Sequence, residues 1–208
     1  MHGKASIGRT NQLPMQKREF LASMLLAAAS PVAAQTRNTI APTAPVLLTI
    51  TGAIGKPNRG AFDPGFDVLM SKHGVAFAAA YAMEWKRLVA LPTKTIEPTL
   101  EYDGKRHRLR GPLLTDVLEV AGVRANGSST LTLRAVDGYA PTVTWSDARK
   151  YAFVVATHRD DQPLPMGGLG PLWAVYDADH FPEAAAKPLP ERFANCPWGL
   201  YHVDVRAT

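Results

Sequence analysis

Between residues 129 and 177 the chain passes through four short runs rich in β-branched and aromatic residues: STLTLRAV, YAPTVTW, YAFVVATH and PLWAVYD. Turn residues close each run, so the runs read as strands. A further run, LYHVDVR at 200–206, alternates Leu200, His202, Asp204 and Arg206 against Tyr201, Val203 and Val205, the pattern of a half-buried closing strand. VLLTITGAIG at 46–55 reads as an opening strand that ends at glycines. Helices are few. PLLTDVLEVAGV is the clearest, with Leu113, Leu114, Val117, Leu118 and Ala121 on one stripe and Gly122 as its stop. FDPGFDVLMSKHG carries helix punctuation in Asp63, Pro64 and Gly74, and AMEWKRLVALP reads as a short helix stopped at Pro92. Asp103-Gly104 within TLEYDGKRHRLRG signals a hairpin. The expected class is α+β: β-dominated mixed sheets with short helices rather than alternating βαβ units.

The N-terminus has a different character. MQKREFLASMLLAAASPVAAQ combines Lys17 and Arg18, an apolar run from Leu21 to Ala29, and small residues at Val32-Ala33-Ala34, which is the plan of a secretory signal. That run is too short for a ~30 Å hydrocarbon core, which takes about 20 residues, so no stable membrane insertion is expected. The expected organisation is an upstream leader at 1–14, a signal peptide at 15–34, a linker at 35–45 and one domain at 46–208, in a periplasmic or secreted protein. KREFL stands one residue from a twin-arginine signal, and both export routes remain open. Removing residues 1–34 takes Lys4, Arg9, Lys17, Arg18 and Glu19 with it and lowers the net charge from +5 to +2. No basic surface then argues for nucleic acid. Cys196 is a lone cysteine and has no internal disulfide partner.

Several segments taken together resemble a known family. GPLLTDVLEVAGV, TLRAVDGYAPTVTWSDA, YAFVVATHRDDQPLPMGGLGPLWAVYD and GLYHVDVR occur in the order found in the oxidoreductase molybdopterin-binding domain, the sulfite-oxidase-type fold; LLTITGAIG resembles that family's first strand. The resemblance spans residues 46–206 and is loose over 58–82. It implies a mixed α+β fold and a molybdenum pterin, held in family enzymes by one cysteine thiolate between the LP turn and the GPLL helix. In this chain the interval TKTIEPTLEYDGKRHRLR contains no cysteine, and Cys196 lies far downstream.

Cofactor- or substrate-binding candidates follow from the resemblance and the residues together. In an extended chain Arg106, Arg108 and Arg110 share one face, suited to a phosphate or small oxyanion or, equally, to a solvated edge strand. Asp137 and Tyr139 either bond a ligand or only shape a turn. Gly168 and Gly170, in the loop MGGLG, either line the pterin or permit a tight approach before the chain enters the sheet. His158 and Arg159 sit in THRDDQ, which also reads as a plain hairpin tip. Asp177, Asp179 and His180 form no recognised metal-ligand spacing, and no metal or catalytic residue is assigned. The chain contains no G-x-S-x-G, P-loop or G-x-G-x-x-G. Two functions are expected: a molybdopterin-dependent oxidoreductase acting on a small molecule with a periplasmic redox partner, or a cofactor-free binding or accessory module that keeps the fold for a small-molecule ligand.

Overall fold

The computed structural model describes residues 44–207. The leader, the signal peptide and most of the linker fall outside the described residues.

The opening run forms β1 (Val46–Gly52). It pairs antiparallel with β2 (Tyr81–Glu84) and parallel with β11 (Leu200–Arg206), the last strand of the chain. On the other side of β11 lie β5 (Thr130–Ala135) and β6 (Thr142–Thr144), giving a sheet ordered β2-β1-β11-β5-β6. The closing strand is therefore central. A second sheet, β3-β4-β8-β9, is made of β3 (Thr93–Ile96), β4 (Leu109–Pro112) and the two-residue strands β8 (His158–Arg159) and β9 (Gln162–Pro163). β7 (Val154–Ala156) and β10 (Trp173–Val175) form an antiparallel ribbon. Gly111 in β4 crosses the ribbon so closely that a Cβ would sit 1.9 Å from the Val155 carbonyl oxygen.

Alternation sorts the residues of the five-stranded sheet. Leu48, Ile50, Leu131, Leu133, Val203 and Val205 turn inward and are buried with Trp173 and the stripe of α3 (Leu114–Val120). Leu114, Val117, Leu118 and Ala121 lose all solvent contact there. A register shift between Leu200 and His202 lets Leu200 join the core while His202 stays on the opposite face. That face is polar, yet Thr49, Thr51 and His202 are buried in it.

Two helices differ from expectation. The helix expected from Asp63 to Gly74 is only α1 (Val68–Lys72). Asp63 spends its carboxylate on the Gly65 amide (2.8 Å), and Asp67 is drawn to Arg59 (2.6 Å) and the Asp63 amide (3.0 Å), so 63–67 folds as turns. The segment at 82–92 begins as β2 before turning into α2 (Trp85–Val89), because pairing with β1 satisfies its backbone. The sequence reading missed α4 (Trp145–Lys150), although Thr144 caps it by accepting the Asp147 amide (2.9 Å), and that Thr-x-x-Asp spacing is visible in TWSD.

Candidate functional site

The turn between β5 and β6 builds one wall of a cleft. Asp137 accepts the Tyr139 amide at 2.9 Å and Gly138 takes φ +93°, which throws the Tyr139 ring outward, half exposed. Its hydroxyl donates to the Ala194 carbonyl. The expected hairpin tip supplies the second wall: Leu100 N–H bonds the Lys105 carbonyl at 2.8 Å across Asp103-Gly104, presenting Glu101 and Tyr102. The third wall is the segment before β11, with Phe193, Cys196 and Trp198. Trp173 anchors it by donating Nε1–H to the Cys196 carbonyl at 2.8 Å. The enclosed space is about 220 Å³.

Tyr102, Tyr139 and Trp198 keep 54%, 51% and 39% of their surface exposed around this cleft. The charged residues among its lining are Glu101 and Asp137, both acidic. Burial, with Glu101 beside it, pushes the Tyr102 hydroxyl up to about 12. Cys196 is buried, and that burial pushes its thiol far above the ordinary range, so the sulfur is held protonated.

The basic run does not reach this cleft. Arg106 donates Nε–H to the Glu97 carbonyl (3.0 Å) and lies 3.6 Å from the Glu97 carboxylate; Arg108 pairs with Asp161. Arg110 faces His158 across the β4–β8 pair. Between the paired arginines, His107 gives one ring nitrogen to Asp160 (2.7 Å) and the other to Asp103 (2.8 Å), and both contacts push it upward. The THRDDQ segment is a hairpin tip with Asp160 and Asp161 at positive φ, and its carboxylates neutralise the basic run.

The glycine loop is spent on packing. Gly170 is buried, and a Cβ there would lie 2.4 Å from the Leu164 carbonyl oxygen; the Gly168 and Gly170 amides both donate to the Pro165 carbonyl, at 3.1 and 3.2 Å. Asp179 joins the Thr99 amide (2.7 Å) to Arg192 (2.8 Å), so this acidic stretch braces the 97–99 segment. Among the described residues, no group of three or more His, Cys, Asp and Glu side chains is placed to hold a metal ion. No described helix is long and apolar enough to cross a membrane.

A larger cavity, about 640 Å³, opens on the other side of the five-stranded sheet between β1 and α1. Leu47, Phe66, Met70 and Tyr201 line it, and the Arg59–Asp67 ion pair forms its charged spot.

The architecture places this chain among mixed α+β domains of sheets with few, short helices. Among solved structures that resemble it in fold is the sulfane dehydrogenase SoxCD from Paracoccus pantotrophus, which matches with a TM-score of 0.50 and 12% identity, over 77% of this chain. The match takes in 38% of that chain, well under the neighbour's full length. No protein-family model and no curated protein matches the sequence.

Proposed function

We propose that this protein is an exported small-molecule binding module on a sulfite-oxidase-type fold, one that works without the molybdenum pterin the family resemblance implies. The donor set of the cleft carries the reading. A molybdenum centre calls for a thiolate, and a pterin phosphate calls for charge-assisted donors. The cleft at the Asp137–Tyr139 turn instead offers a buried protonated thiol, two carboxylates and three half-exposed rings. Arg106 and Arg108 are turned to Glu97 and Asp161. These residues do not fit the cofactor. Aromatic faces ringed by carboxylates suit a neutral or cationic organic molecule. The cleft volume lies below the ~300–1,000 Å³ of drug-sized sites, so the ligand is small.

The fold shared with a sulfane dehydrogenase supports a second reading, an oxidoreductase that holds molybdenum through a ligand other than cysteine within residues 93–103. Elemental analysis and pterin fluorescence separate the two, on protein exported by a host able to make the cofactor. The expected result is neither molybdenum nor pterin, with a small ligand released on denaturation and lost from Tyr102→Ala and Trp198→Ala. Stoichiometric molybdenum would overturn the proposal.

A further inference from the structure

The polar face of the five-stranded sheet holds a second site, independent of the cleft. Register brings Thr51 of β1, His202, Asp204 and Arg206 of β11, and Thr132 and Arg134 of β5 onto one patch. The segment Gly74–Ala76 lines its edge, and together they bound an open pocket of about 120 Å³. At about 30 Å³ per water this is room for roughly four.

Proton bookkeeping shows which atoms of the lining residues are left without partners. The Thr51 hydroxyl has one hydrogen and donates it to Asp204 Oδ1 at 2.9 Å. Its 2.9 Å contact with His202 Nε2 therefore uses the ring's own N–H. That leaves His202 Nδ1 as a bare acceptor on a residue only 2% exposed, and it has no partner. Burial pushes His202 down to about 4, so the ring is neutral near pH 7. Arg134, its cross-strand neighbour, has a buried Nε–H with no acceptor. One orphan is a donor and the other an acceptor, yet they do not bond each other. Buried polar atoms left open in this way mark a missing partner.

Two other charges adjoin the pocket. Asp204 is committed to Thr51 and to Arg206 (3.2 Å), and no ion pair joins Arg134 among the described residues. His73, beside the Gly74–Ala76 segment, is turned to the Tyr201 hydroxyl at 2.8 Å. A half-buried guanidinium without a carboxylate draws an anion more strongly than it draws water.

We propose that this pocket binds a small oxyanion that keeps one O–H, of the bicarbonate type, whose charged oxygens accept from Arg134 Nε–H and whose hydroxyl donates to His202 Nδ1. Formate is the matched control, because it has the same charge and no hydroxyl.

The test is nitrogen NMR of the His202 and Arg134 side chains in the full chain, titrated with bicarbonate or formate at constant ionic strength. Bicarbonate should shift both signals saturably, and formate should bind about tenfold or more weaker. Arg134→Gln should weaken bicarbonate by about tenfold or more. Tyr102→Ala should leave the titration unchanged, which separates this site from the cleft. No saturable shift would mean that the pocket holds water alone and would overturn the proposal. Equal binding of formate would overturn the hydroxyl contact to His202.

Discussion

His107 and His202 receive opposite treatment in this molecule. His107 lies in the hairpin region with a carboxylate on each ring nitrogen, and the neighbouring Arg108 has its own acid. His202 lies at the centre of the five-stranded sheet, its Nδ1 unpartnered beside an unpartnered Arg134 Nε. The first region is a closed electrostatic unit, in which acids and bases satisfy each other. The second withholds partners from groups that cost free energy when left bare. Density of charge in the sequence, greatest at KRHRLR, therefore points to the place where polar groups are already matched.

The largest break in this comparison comes from pH. For His202 the fold favours the neutral ring, so between its ordinary value of 6.5 and about 4 the unfolded chain binds more protons than the folded one. Its contribution is complete above pH 6.5 and is lost as pH falls through that window. The loss is on the order of 3 kcal/mol. Urea denaturation at pH 7 and at pH 4 should show it, and His202→Gln should flatten that part of the profile. His107 runs the other way. Its value is raised by Asp160 and Asp103, so its contribution is present below its ordinary value and declines as pH rises through the raised one. A His107→Gln variant should lose stability at pH 5 and much less at pH 9.

Next in size is Thr51→Val. Its hydroxyl is the contact that satisfies both His202 Nε2 and Asp204 Oδ1. Removing it strands a buried donor, at a cost of about 2 kcal/mol. An unchanged urea midpoint would show that this bridge does not hold the polar face. The smallest effect is expected at Arg108→Gln, which breaks an exposed pair with Asp161 and should cost less than about 1 kcal/mol. A larger loss would mean that the hairpin cluster carries more of the fold than its exposure suggests.

The strands around residues 46–52, 130–135 and 200–206 were legible because apolar residues alternate there, and α3 because its stripe repeats at helical spacing. The helix from Asp63 was over-read. Asp63 and Asp67 are good capping residues, but Asp67 has Arg59 to bond, a partner that local punctuation does not reveal. The cleft was half legible: Asp137 and Tyr139 were named from the turn, while Tyr102 and Trp198 were not, since they meet only when the 99–106 tip folds onto the 190–198 segment. Arg106 and Arg108 looked available because Asp161 belongs to another hairpin and Glu97 lies across a β bridge.

By itself the sequence determined the apolar stripe of α3, the main strands and that the architecture is α+β, because burial of alternating and helically spaced apolar side chains is a local, additive drive. The tertiary structure alone decided which polar groups find partners. Pairing β1 parallel to β11 and β11 antiparallel to β5 sets Thr51, His202 and Arg134 side by side from three distant parts of the chain. Hydrogen bonds and ion pairs depend on distance and direction, and residues so far apart in sequence acquire those only when the sheet forms.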